Sequence, residues 1–215
     1  MSVSNNLSYE DIIILKHNST LDPDETRRVT KLLYPSQDTS AEIKMELNKL
    51  TRQTFSAVIN KLGPITKNNH IKQNELIQET IKACMMQHLY TSIYAEIIAK
   101  LCDDDLDSTI IDCVFKSLID NEENVKALKG ISIFFLTWTR LKKISFGDFS
   151  SNISKLATLS QIVFLSTVFN ADTLLFKTCA DLASKLLSFI DDPSIPFQYK
   201  VDLLTLKDIL EKDNE

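Results

Sequence analysis

The side chains with the widest chemical repertoire in this sequence are three histidines and a short run of carboxylates. His17, His70 and His88 lie far apart, without the paired spacing with which one element binds a metal ion. The acidic run CDDDLD, residues 102–107, lacks the alternating ligands and central glycine of a calcium-binding loop. We therefore predict no metal site. We expect surface histidines, and a solvated acidic connection whose charge favours a helix starting near Ser108.

Nucleophilic and phosphate-binding chemistry finds no support either. The glycine-rich phosphate loops and the G-x-S-x-G nucleophile motif do not occur. Trp138 lies in an apolar stretch and is expected in the core rather than against a ligand. The wide spacing of the cysteines, without a CxxC pair, indicates reduced and mostly buried thiols at Cys84, Cys102, Cys113 and Cys179. We expect neither an enzyme nor a cofactor.

Composition describes an ordinary acidic globular chain. Of 215 residues, 44% are hydrophobic and 25% charged, the net charge is −5, and only three glycines are present, which suits helices. A chain with a net negative charge repels polyanions over most of its surface, so RNA could bind only at a local basic patch. The sequence lacks both an apolar run near the ~18 residues of a membrane span and a secretory signal. We therefore predict a cytoplasmic protein.

From about residue 51 the hydrophobic pattern predicts about nine successive helices and no strands. Thr51 is the expected N-cap of the first, and Gly63-Pro64 is expected to end it. In the second, one apolar stripe begins at Ile71 and continues through Leu76. The expected fold class is therefore all-α. Antiparallel pairs at roughly 40-residue spacing favour a HEAT-like α-solenoid, and a compact irregular bundle is the alternative.

The N-terminal part of the chain differs from this helical body. Residues 1–40 contain two short helix signals, at Ser8 and at Asp22-Pro23, separated by polar residues. Short helices without a neighbouring core are marginal on their own. We therefore predict a flexible N-terminal arm over residues 1–40 and one helical-repeat domain over residues 41–215.

The body resembles the middle domain of translation initiation factor 4G. LNKLTRQTFSAVINKL, residues 47–62, is similar to the opening helix of that domain, although Arg52 stands where the family commonly has proline. LYTSIYAEIIAKLC, LKGISIFFLTWTRLKKIS and FQYKVDLLTLKDILE resemble its third, central and final helices, in that order. The resemblance covers about residues 41–212. It implies a HEAT-repeat translation initiation scaffold.

Beside such a domain, the arm has a more specific interpretation. Factors of the 4G type bind the messenger-cap-binding protein, factor 4E, through a tyrosine, four residues, a leucine and a hydrophobic residue. Tyr9 is followed here by Ile12 and Ile13, and then by Ile14 and Leu15, with Ile14 in place of the usual leucine. A helix forming on contact would bring the tyrosine and its apolar partners to one groove.

A second contact with the same partner is implied farther along the arm, through Val29, Leu32 and Leu33. The alternative for both arm segments is that they are outer helices packed on the body.

The resemblance implies a DEAD-box RNA helicase of the 4A type as the other partner. In the family, the middle domain holds the two helicase lobes half open and so stimulates ATP turnover. Motif position implies contacts at Asn48, Lys49, Thr51, Lys129, Phe134, Lys200 and Asp202, although Phe134 and others among them have a place in the core as their alternative. Messenger RNA is a further candidate partner. The rival functions are another adaptor with this domain type, in poly(A)-binding-protein binding, splicing or nonsense-mediated decay, and a helical-repeat adaptor unrelated to translation.

Overall fold

The computed structural model describes residues 35–87 and 90–212, with side chains described for 40–87, 90–209 and 211. The chain divides into two compact units, Met1–Glu42 and Ile43–Glu215. Of the first unit, the described residues comprise only the beginning of a helix.

Eleven helices and no strand occur in the described residues, which confirms the all-α prediction. They are α1 Pro35–Leu47, α2 Phe55–Thr66, α3 His70–Met86, α4 Thr91–Leu101, α5 Asp107–Asp120, α6 Val125–Lys142, α7 Ser150–Ile153, α8 Thr158–Ala171, α9 Thr173–Thr178, α10 Ala180–Ser188 and α11 Phe197–Lys212. Short 3-10 turns precede α5 and α7, at Asp104–Leu106 and Phe146–Phe149. None of the described helices combines the length and apolarity needed to cross a bilayer.

Two differences account for the two additional helices. Helix α1 lies ahead of the first helix that we predicted. The stretch TLLFKTCADLASKLLSFI, residues 173–190, carries one continuous helical pattern and counts as one of the nine predicted helices, but the structure divides it into α9 and α10 at Cys179, whose backbone leaves the helical region. Each of the two helices there presents its own apolar residue to the core, Phe176 and Leu186.

Helix α2 also corrects a predicted boundary, because it continues through Gly63 and Pro64 to Thr66. A residue before proline normally avoids the helical region because its Cβ meets the proline ring. Glycine has no Cβ, so the helix can pass. The Thr66 hydroxyl donates to the Leu62 carbonyl oxygen at 3.0 Å, and the Lys67 N–H donates to the Gly63 carbonyl oxygen at 2.9 Å.

Helix α6 is the centre of the unit, and it packs against α3, α4, α5 and α8. It begins where Asn124 Oδ1 accepts a hydrogen bond from the Ala127 N–H at 3.1 Å, as an N-cap does. It ends at Lys143, which adopts the left-handed conformation with φ of 57°. Contacts also run in succession through α2, α4, α6 and α8, and between α3 and α5. A HEAT-like solenoid stays a prediction.

Gly130 fixes the distance between α6 and α3. A Cβ at Gly130 would lie 2.2 Å from the carbonyl oxygen of Cys84 and 3.0 Å from its carbonyl carbon. Only a residue without a side chain permits this approach.

Aromatic side chains fill the core on the other side of α6. Phe135 is their centre, with ring centroids 4.8 Å from Phe149 and 5.5 Å from Phe115 in edge-to-face arrangements. Phe146 and Phe164 also lie within about 6 Å of Phe135. Trp138 is fully buried, as predicted.

Candidate functional site

The predicted cap-binding-protein contacts lie outside the described residues. These are Tyr9, Ile12, Ile13, Ile14 and Leu15 of the motif and Val29, Leu32 and Leu33 of the second contact. They stay predictions, as do the histidines at positions 17 and 88.

The first three predicted helicase contacts occupy the connection between α1 and α2. Asn48 and Lys49 are exposed, and Thr51 is half-buried. Thr51 and Thr54 hydrogen-bond reciprocally: the Thr51 N–H donates to Thr54 Oγ1 at 2.8 Å, and the Thr54 N–H donates to Thr51 Oγ1 at 3.2 Å. This resembles a capping box with threonine in the fourth position. The prediction that Thr51 is the N-cap of α2 is wrong: α2 begins at Phe55 with Thr54 as its N-cap, and Thr51 instead stabilises the turn that precedes the helix.

A buried carboxylate anchors the same connection. Only 4% of the Glu46 side chain is exposed, and its Oε1 lies 2.7 Å from Lys49 Nζ and 3.3 Å from Lys61 Nζ. The hydrogen bond from Lys49 lowers the pKa of Glu46, and it outweighs the opposing effect of burial. Lys49 is thus tied to the body while half of its side chain stays accessible.

We expect the contribution of this cluster to stability to disappear in acid. Because the pKa of Glu46 is lower in the folded chain, ionised Glu46 stabilises the fold above its unfolded pKa of about 4.3, and this is lost as the pH falls through the folded pKa. The difference in free energy of unfolding between wild type and Glu46→Gln, about 1 kcal/mol or less for half-exposed lysines, should be constant near neutrality and shrink below about pH 4. Urea denaturation across that range measures it. A difference that persists unchanged in acid would contradict the assignment.

The structure brings two other predicted helicase contacts together. Lys129 Nζ of α6 lies 3.8 Å from Asp202 Oδ2 of α11, and the side chains are 49% and 43% exposed. They line an open groove of about 420 Å³ together with Thr167, Asn170, Ala171 and Thr205. The Thr167 hydroxyl is buried and has no hydrogen-bond partner. This groove, which we name the α6–α11 groove, presents one positive and one negative side chain to solvent.

Phe134 is corrected to a core residue. It lies one helical turn beyond Gly130 on α6 and is 0% exposed, packed in the main hydrophobic cluster. It offers no surface to a partner in this conformation. Lys200, half-buried near the start of α11, is not among the residues that line the α6–α11 groove.

A third cluster was missed by the sequence analysis, which treated its parts separately. His70, the first residue of α3, has its Nε2 3.7 Å from Asp103 Oδ2 and 3.7 Å from Asp105 Oδ2 in the connection after α4. Gln73, 1% exposed, holds Asp103 from beneath: its Nε2 donates to Asp103 Oδ2 at 2.8 Å, and its Oε1 accepts from the Asp103 N–H at 3.0 Å. The same Nε2 donates to the Thr66 carbonyl oxygen at 3.1 Å.

A second cavity, of about 580 Å³, lies where α6 ends and α9 begins. Its charged wall is an ion pair between Arg140 and Asp172, and Asp172 Oδ1 also caps α9 by accepting from the Leu175 N–H at 3.0 Å. Burial raises the pKa of Asp172, but the N–H groups and the guanidinium outweigh burial and lower it. Both charges are therefore already committed to the fold.

The four cysteines are free, as predicted, with Cys84 and Cys102 buried and Cys113 and Cys179 half-buried. Burial raises the pKa of all four thiols, that of Cys102 to about 12. At neutral pH they are protonated and therefore poor nucleophiles.

No family model, curated protein or solved structure matches the chain.

Proposed function

We propose that the chain is a compact translation initiation scaffold of the 4G type. Its arm recruits a cap-binding protein of the 4E type, and its helical body binds a DEAD-box helicase of the 4A type in the cytoplasm. The body would stimulate the helicase by favouring one arrangement of its lobes, a shift of population that needs no catalytic residue.

The observation that carries the proposal is the stretch 47–62, which resembles the opening helix of the family's middle domain and contains polar residues that stay exposed. Asn48 and Lys49 stay exposed on the connection before α2, while Thr51 and Glu46 hold that connection in one conformation. A preformed surface saves part of the ordering cost of binding. The α6–α11 groove supports the proposal independently, because it joins Lys129 and Asp202 from helices that resemble the central and final helices of the family.

The arm is tested by retention of the full chain on cap-analogue resin loaded with the cognate 4E-type protein. The resin should retain the wild-type chain and should not retain the double variant Tyr9→Ala, Leu15→Ala. The control is the thermal unfolding transition, which should be the same for both proteins. Equal retention of both proteins would refute the role of the arm.

The body is tested by helicase ATPase stimulation with Lys129→Glu. The loose, exposed pair with Asp202 is worth about 1 kcal/mol or less, so the variant should fold normally and lose stimulation. Lys207→Glu is the matched control, because Lys207 is half exposed on α11 and forms a similar pair with Glu211 at 3.7 Å. The exchange Lys129→Asp with Asp202→Lys restores the ion pair within the chain but should not restore stimulation.

The two tests separate the rival functions. Stimulation without 4E retention indicates another adaptor with this domain type. Neither activity indicates a helical-repeat adaptor outside translation. Equal stimulation by wild type and Lys129→Glu refutes the assignment of the α6–α11 groove.

A further inference from the structure

The start of α3 and the connection after α4 bring one imidazole and two carboxylates together in the His70 cluster, which we define as His70, Asp103 and Asp105. One possible ligand atom from each residue lies within 4.8 Å of the other two. We propose that this cluster binds a divalent transition-metal ion of the Zn²⁺ type. The proposal is independent of the docking function, because the cluster shares no residue with either predicted helicase surface.

The spacing fits a small ion after modest adjustment. Zinc binds imidazole nitrogen and carboxylate oxygen at about 2.0–2.2 Å, which places tetrahedral ligand atoms roughly 3.3 Å apart. His70 Nε2 is already 3.7 Å from each carboxylate oxygen. The side chains of His70 and Asp105 are 54% and 61% exposed, so they can rotate toward an ion beside Asp103 without disturbing the core.

Gln73 presets one of the ligands from below. Its side-chain amide binds both the carboxylate and the backbone N–H of Asp103, and it is itself fixed to the Thr66 carbonyl oxygen. A buried amide in the core would normally be replaced by an apolar residue unless it satisfied such groups. Orientation of a ligating carboxylate by an outer hydrogen bond is the usual construction of a metal site.

The distribution of charge leaves the cluster open to a cation. Lys142 Nζ pairs with Asp104 and lies 3.6 Å from Asp107, so this lysine is occupied by the two acids on either side of Asp105. Asp103 and Asp105 instead approach the imidazole. A divalent ion between them would offset their mutual repulsion.

The ligand types select the class of ion. Calcium prefers six to eight oxygen ligands, whereas imidazole nitrogen suits zinc and neighbouring transition metals. Three protein ligands leave a coordination position for water or for a donor from a bound molecule.

Isothermal titration of the full, reduced chain with Zn²⁺ tests the proposal. We expect one ion per chain, and affinity weakened roughly tenfold or more by His70→Asn and by Asp105→Asn, two exposed changes that should leave the circular dichroism spectrum unaltered. Asp104→Asn is the matched control: it removes one charge from the same turn but none from the cluster, so affinity should be kept.

Three results would overturn the site: no binding to wild type, unchanged binding to His70→Asn, or an equal loss with Asp104→Asn. A titration with Ca²⁺ distinguishes the proposed transition-metal site from an acidic patch that binds any divalent cation. If Ca²⁺ binds as tightly as Zn²⁺ and ignores His70→Asn, the cluster is not a transition-metal site. Gln73→Met should weaken Zn²⁺ binding roughly 10- to 100-fold through loss of ligand orientation. Full Zn²⁺ affinity in folded Gln73→Met would exclude that positioning role, and if this variant fails to fold, the two exposed variants decide.

Discussion

Gly130→Ala should be among the most destabilising single-methyl additions to this chain. The new Cβ would lie 2.2 Å from the Cys84 carbonyl oxygen, and a backbone oxygen in the middle of a helix cannot rotate away as a side chain would. Helices α3 and α6 would have to move apart along the central helix of the unit. Overpacking of this kind costs about 3 kcal/mol, and each kcal/mol lowers Tm by roughly 2–4 °C at this size.

Thermal and urea unfolding of Gly130→Ala and Gly147→Ala, side by side, measure the effect. Gly147 is the matched control, because it is exposed and its Cβ would meet only the side-chain oxygen Oγ of Ser145, at an ordinary 3.7 Å. A surface change of this kind should alter the free energy of unfolding by no more than about 0.5 kcal/mol. Comparable destabilisation by both variants would show that the close approach does not decide the outcome.

Phe135→Ala should cost about 3–5 kcal/mol, as for other buried aromatic residues. Phe135 is 0% exposed and lies at the centre of the aromatic cluster, so its removal leaves a cavity that several rigid rings cannot close. The edge-to-face contacts with Phe115 and Phe149 are lost as well.

The comparison for this variant is Phe197→Ala, which removes the same ring from a position that is 74% exposed at the start of α11. A surface change of this kind should alter the free energy of unfolding by no more than about 0.5 kcal/mol. Urea denaturation of both variants tests the assignment of the core. Equal losses would contradict the burial of Phe135 at its centre.

Helical periodicity was sufficient to predict the fold class and most of the elements. Runs such as STIIDCVFKSLI carry a repeat of 3.6 residues and few glycines, so the all-α assignment followed directly. Periodicity did not determine which residues of each helix face the core. Ile71 was placed on the apolar stripe of α3 but is 70% exposed, whereas Gln73 occupies the buried position. The sequence contained the signal, since Gln73 has the spacing of the buried Leu76, Ile77 and Thr80. Hydrophobicity alone favours Ile71 over Gln73 as the buried residue.

The clusters depended on tertiary contacts that local patterns do not encode. Lys129 and Asp202 were both candidates, but nothing in the sequence indicated that they would share a groove. His70 and the acidic run 102–107, taken as isolated motifs, each lack the spacing of a metal site. They meet because Gln73 joins the start of α3 to the end of α4. Such contacts between distant elements depend on how the helices pack. In a single sequence, the only sign of this packing is a polar residue at a position that the helical pattern predicts to be buried.

The Cys84 side chain is fully buried in the core, and the backbone carbonyl of the same residue is the group that Gly130 approaches. A thiol-modifying reagent can therefore reach this sulfur only when the core around it opens, and the raised pKa of the thiol slows the reaction further. Labelling of Cys84, resolved from that of the half-buried Cys113 and Cys179, would report the rate of such local opening.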